Sequence, residues 1–139
     1  MAGKLASAPV RSYRDLRVWR SAMALVIASY DLCRSLPDRE RYGLAAQTQR
    51  SAVSVAANIA EGHGRDHLGD YLHHLSIANG SLMELETEVQ IGTCLGYYSE
   101  DRAQLVLSKT AEVGRMLAAL SAKLKIRAHG VTQPAGVAT

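Results

Sequence analysis

Along most of this chain, apolar residues recur at alternating steps of three and four, the spacing of one face of an α-helix. Leu16, Trp19, Met23, Val26, Tyr30 and Cys33 trace such a stripe over residues 13–35. Leu68, Tyr71, Leu75, Ala78, Leu82, Leu85 and Val89 trace another over 67–95. Val106, Thr110, Val113, Leu117, Leu120 and Leu124 trace a last one over 100–127. Residues 39–61 place Leu44, Ser51, Val55 and either Asn58 or Ile59 on the equivalent positions. The pattern predicts four helices and almost nothing else.

Local punctuation agrees with these elements. Ser12, Asp38, Asp66 and Ser99 stand where N-cap side chains accept the first free backbone N–H groups. Pro37 blocks continuation of the first helix, and Gly62 and Gly96 follow the second and third as C-cap candidates. Connections this short make sequential helices antiparallel neighbours. The fold expected is therefore all-α, an up-down-up-down antiparallel four-helix bundle over 13–127. Residues 1–12 and 128–139, small and polar, are expected to be disordered flanks. In antiparallel register Gly80 falls level with Gly114, which suggests either a close approach of the last two helices or two unrelated surface glycines.

Two features point to self-association. The first helix carries a second apolar stripe, Val18, Ala22, Leu25 and Leu32, and something must cover it if the first stripe faces the core. A single wide core stripe is the alternative. The segment QTQRSAVSVAANIAEGHGR (47–65) is built of Ala, Ser and Val where a solvated helix would carry Lys and Glu. It predicts a helix pressed against neighbours on several sides, with Arg50, Asn58 and Glu61 as polar exceptions in specific places.

The runs YRDLRVW, LPDRERYGLAAQTQRSAVSVAANIAEGHGR and YLHHLSIANGSLMELETEVQIGTCLGYY carry a family resemblance over residues 13–125. The specific positions are Leu16 with Trp19, Pro37 with Glu40, Gly43-Leu44, Gln47, Arg50, Ser54, Asn58 through Gly62, and Ser81 with Glu84-Leu85-Glu86. Together they resemble the bacterial four-helix-bundle family named for proteins encoded in intervening sequences of 23S rRNA genes. That family is related to the accessory variability proteins of diversity-generating retroelements. The position before Leu16 is often Phe in the family; here the nearest aromatic is Tyr13 and the chain has no Phe, a departure that bears on packing. The resemblance implies a homopentamer with no enzymatic activity. It makes Gln47, Arg50, Asn58, Glu61, Gly62, Ser81 and Glu84 family-signature residues of structural role. The retroelement members look like RNA-binding partners of a reverse transcriptase, so RNA and, by analogy alone, a reverse transcriptase are the partners implied.

Composition changes this picture little. The 139 residues suit one domain with a real core. No apolar run is long enough to span a bilayer, and the start lacks the apolar stretch of a secretory signal. Two cysteines, Cys33 and Cys94, are too few for a disulfide framework or a zinc site, so a cytoplasmic location is expected. They fall at the ends of helices that sit diagonally in a bundle, which argues against an internal disulfide.

Charge placement says more than the formal net charge of +3. Arg11, Arg14, Arg17 and Arg20 fall at the same bundle end as Arg65, Lys123, Lys125 and Arg127, whereas Asp31, Asp38, Glu40, Glu86, Glu88, Glu100 and Asp101 fall at the other. In a ring of subunits oriented alike, the basic ends would share one face, attractive to a phosphate backbone. Arg14, Arg17, Arg20, Arg65, Lys123, Lys125 and Arg127 are therefore the candidate nucleic-acid-binding residues. A solvated face, with Lys and Arg complementing a helix C-terminus, explains the same residues without RNA and leaves a protein-directed scaffold.

No catalytic residue, metal site or cofactor is expected. Glu84 and Glu88 stand one turn apart and His63, His67, His73 and His74 cluster around one helix start, but no Glu-x-x-His pair of a di-iron bundle occurs. No serine or cysteine has a matching His and acid. Glu61 is expected to reach Arg14 or Arg17, Asn58 to hold loop backbone groups, and Arg50 and Glu84 to take part in an ion pair within the bundle or between subunits.

Overall fold

A computed structural model describes residues 9–132. Its described residues form four α-helices and no strand: α1 Arg17–Cys33, α2 Leu44–His63, α3 Leu68–Cys94 and α4 Glu100–Thr132. One-turn 3-10 helices at Tyr13–Asp15 and Asp38–Glu40 lead into α1 and α2. Each helix packs on the next and α4 returns to α1, closing an antiparallel four-helix bundle. α4 continues past the expected end at residue 127 to Thr132. The expected flanks at 1–8 and 133–139 lie outside the described residues.

The stripes expected on α3 and α4 face the core, with Leu75, Leu82, Leu85, Val89 and Val113 fully buried. On α2 the choice between Asn58 and Ile59 falls to Ile59. α1 shows the single wide core stripe that was the alternative. It buries Val18, Ala22, Leu25, Ser29, Leu32 and Cys33, with Leu16, Trp19 and Val26 packed half-buried on the same core, while Met23 and Tyr30 are 38% and 42% exposed. The stripe expected to need an external cover is the core stripe. Its continuity is masked by Ser29, whose hydroxyl donates to the Leu25 carbonyl at 2.7 Å and so enters the core satisfied.

Helix starts divide likewise. Ser12 caps the first 3-10 turn in a capping box with Asp15, and Ser99 accepts from the Arg102 N–H at 3.2 Å. Asp38 lies inside its 3-10 turn; Glu40 accepts the Leu44 N–H at the start of α2, at 3.1 Å. Asp66 stands one residue too early, and His67 occupies the α3 cap position without a side-chain hydrogen bond.

The glycines that matter differ from those expected. A Cβ at Gly80 would meet nothing within 4 Å, and one at Gly114 would make an ordinary 3.4 Å contact with Leu82, so α3 and α4 have no glycine-to-glycine approach. The close approaches are elsewhere. Gly62 lies buried inside α2, where a Cβ would come 2.8 Å from the His74 Cβ. Gly96, at φ +80°, ends α3 in a Schellman turn, with Tyr97 N–H bonded to the Gly92 carbonyl and Gly96 N–H to Thr93. That reversal lays the Tyr98 ring across Gly92, where a Cβ would be only 2.2 Å from the ring.

Candidate nucleic-acid interface

The α1 start and α2 end meet: Asp15 is near enough to His63 for their charges to interact. The α4 end meets the α3 start, where Lys125 shares a groove with Gly69 and His73. Arg14, Arg17, Arg20, Arg65 and Lys125 thus belong to one end of the bundle, with Lys123 and Arg127 on the same last turns of α4. All five histidines of the chain lie on the segments forming this end.

Its side chains fall into two groups. Some arginines are tied to the scaffold. The Arg14 guanidinium lies 4.7 Å over the Tyr13 ring, which meets Trp19 edge-on at 5.2 Å. Arg20 donates to the Arg14 carbonyl at 3.0 Å and lies 3.9 Å from Asp15. The Asp15 carboxylate accepts backbone N–H groups of Arg11 and Ser12, which hold its pKa below the ordinary aspartate value. Arg65 donates to Glu61 at 2.7 Å. By contrast Arg17, Lys123, Lys125 and Arg127 have no carboxylate within 4.0 Å among the described residues.

The other end is more mixed than its acidic residues suggest. Arg34, Arg39, Arg41 and Arg102 stand among those acids. Asp31 faces Arg34 at 3.7 Å and Arg102 at 3.9 Å, and Arg102 also bonds the Ser35 hydroxyl. The charge contrast between the ends survives, but it is an excess rather than a segregation.

The family-signature residues lie along the seam where α2 meets α3, with Gln47 and Glu84 bordering a groove there. Asn58 donates to the Ser54 carbonyl at 2.9 Å and faces His74 Nδ1 at 3.1 Å, so it ties α2 to α3 rather than holding loop backbone. Ser54 and Ser81 share a 2.7 Å hydrogen bond. Ser51 donates to Glu88 at 3.0 Å and to Glu84 at 3.5 Å. Glu61 reaches Arg65 and His74, not Arg14 or Arg17; the hydrogen bond from Arg65 and the charge of His74 hold its pKa down. Arg50 donates to Gln47 at 2.6 Å, and within the chain it makes no ion pair with Glu84. Small α2 side chains bring α2 and α3 so close that short polar groups meet directly.

Sequence reasoning passed over three residues. His74 borders the buried Leu75 and Ala78, and that position was the available signal for a seam residue. Tyr98 lies beyond the Gly96 turn, where helical periodicity has no reach. Glu88 was weighed as a metal ligand and as one acid of the opposite bundle end, not as a seam residue. It has one carboxylate oxygen buried without a partner, and burial raises its pKa. Among the described residues no three His, Cys, Asp or Glu side chains gather as a metal site, and both cysteines are free. No described helix is long and apolar enough to cross a membrane.

The architecture defines an all-α helical-bundle protein with a polar interhelical seam and a cationic end. A family model described as 23S rRNA-intervening sequence protein matches residues 14–119, and the chain belongs to that family. A similar solved structure is the 1.70 Å crystal structure of a protein of unknown function from the S23 ribosomal protein family of Bacteroides thetaiotaomicron VPI-5482. It superposes with a TM-score of 0.70 at 19% identity, over 75% of this chain and 97% of that one, which establishes likeness of fold. A search of curated proteins returned no match.

Proposed function

We propose that this protein is a non-enzymatic, cytoplasmic accessory protein that binds RNA through its basic bundle end, as a homo-oligomer of pentameric order. One observation carries the reading. Arg11, Arg14, Arg17, Arg20, Arg65, Lys123, Lys125 and Arg127 are opposed there by only Asp15, Glu61, Asp66 and Asp70. Cations without a carboxylate partner remain available to phosphate, and subunits oriented alike would repeat them around one face. By family analogy alone, a reverse transcriptase is a further partner.

Binding of a labelled RNA across a salt series, for wild type and for an Arg14/Arg17/Arg20 triple alanine variant, tests this. The expected result is salt-dependent binding with a shallower slope in the variant. No binding at low salt, or an unchanged slope, rejects it. A protein-directed scaffold is the second reading, favoured by the exposed Met23, Ile27, Tyr30 and Val53 on the α1–α2 side.

A further inference from the structure

On the proposed reading, the groove between α3 and α4 at the basic end has a composition of its own. It has a volume of about 490 Å³, within the range of ligand-binding clefts. Its floor is the half-buried Leu72, with Leu75 and Leu117 buried beneath it, and its walls carry His73, Ser76, Asn79, Ser121 and Lys125, with no carboxylate. The groove where α2 meets α3 is opposite in character, lined by Glu40, Glu84 and Glu88.

The wall groups are also unspent. Elsewhere in the bundle, Ser29, Thr48, Thr87 and Thr93 turn their hydroxyls onto the carbonyl four residues back. None of Ser76, Asn79, Ser121 and Lys125 has a protein hydrogen-bond partner among the described residues. A cation, an imidazole, an amide and two hydroxyls thus face an apolar floor with their donors free.

We infer that this groove is a subsite for single-stranded RNA, holding a base against Leu72 and a phosphate against Lys125. A volume of about 490 Å³ is the size that seats one drug-sized ligand, about one nucleotide of a strand and not a duplex. Ser76, Ser121 and Asn79 both donate and accept, which matches the 2′-hydroxyl. His73 supplies the planar face in the lining for stacking.

The discriminating pair is Ala118→Glu and Ala119→Glu. Both positions are exposed on α4 at the same height, but only Ala118 lines the groove. Each variant adds one negative charge to the same end, so a diffuse electrostatic attraction responds to both alike. Fluorescence anisotropy with a labelled oligouridylate at low salt is expected to show Ala118→Glu weakening binding by about tenfold, through like charge set against phosphate. Ala119→Glu should change it by less than about twofold, with both melting temperatures near wild type. Equal losses overturn the groove and leave the basic-end reading standing; absence of wild-type binding overturns both. Equal affinity for the matching deoxyoligonucleotide removes the 2′-hydroxyl contacts and with them the assignment to RNA.

Discussion

α2 and α4 lie diagonally in the bundle and each buries a full stripe, yet their outward faces differ in kind. α4 turns Glu112, Arg115 and Lys123 away from the core, with Leu105 and Ile126 exposed singly among them, the mixed coat of a solvated helix. α2 turns outward Ala46, Val53, Ala57 and Ala60, with Arg50 and Glu61 its charged members there. Exposed Met23, Ile27 and Tyr30 of α1 and Ile77 and Ile91 of α3 flank it. Isolated apolar residues on a surface mean little, but neighbouring ones across three helices mark a surface that is covered in use. The lesson is that the bundle has a drier side and a wetter side. On the oligomeric reading proposed above, the side formed by α1, α2 and α3 is where another subunit would sit.

The most direct way to break this contrast is to charge the dry side. A Val53→Glu/Ala57→Glu double variant is expected to fall to the 15.0 kDa monomer by light scattering while its melting temperature on dilution stays near that of the wild-type protomer. The matched change on the wet side, Ala111→Glu/Ala118→Glu, should leave the mass unchanged. A wild type already monomeric at micromolar concentration removes the argument altogether.

Next in size is packing. Gly62→Ala drives a Cβ to 2.8 Å from the His74 Cβ and 3.2 Å from the Tyr71 carbonyl, neither of which is the free end of a flexible chain. Overpacking of this kind costs about 1–3 kcal/mol. Gly114→Ala meets only a terminal Leu82 methyl at 3.4 Å and gains helix propensity, so it should stabilise by up to about 1 kcal/mol. Denaturant melts of the two variants give opposite signs if the seam is as tight as its hydrogen bonds indicate. Equal and small effects mean that α2 and α3 can separate freely.

How legible this was depended on what kind of residue filled the core. α3 and α4 were readable because Leu and Val mark their inner faces. α1 was misread because Ala22 and Ser29 face inward while larger Met23 and Tyr30 lie at the boundary, so residue size pointed the wrong way. The segment 47–65 announced close packing through its small residues, but not which neighbour each would meet. That information lies in the α2–α3 register, which pairs Ser54 with Ser81 and Asn58 with His74. The basic end was legible because antiparallel order alone sets which termini share an end. The groove was not, since its walls come from two helices and are recognisable only once their facing turns are aligned.

A smaller effect comes from the seam's own charge. Burial raises the Glu88 pKa and leaves one oxygen unpartnered. A carboxyl with a raised folded pKa holds its proton more tightly when folded, so stability falls as pH rises from the ordinary glutamate value through the folded one. Above that window the ionised group opposes folding. Glu88→Gln keeps an oxygen for the Ser51 hydroxyl and should raise the melting temperature at pH 7 while flattening this part of the stability profile. A lower melting temperature at pH 7 would mean that the carboxylate is satisfied and that the seam tolerates charge as the α4 surface does.

The finest distinction lies within α4 itself. Lys109 sits partway along the helix and Lys125 in the groove at the basic end. Each phosphate contact on a single strand contributes about 0.7 to the slope of log K against log salt. Lys125→Ala is therefore expected to flatten that slope by roughly 0.7, and Lys109→Ala to leave it unchanged, although both remove one charge from the same helix. Equal slopes in the two variants would spread the attraction along the whole wet side, whereas a difference confined to Lys125 places it at the end where four unpaired cations converge.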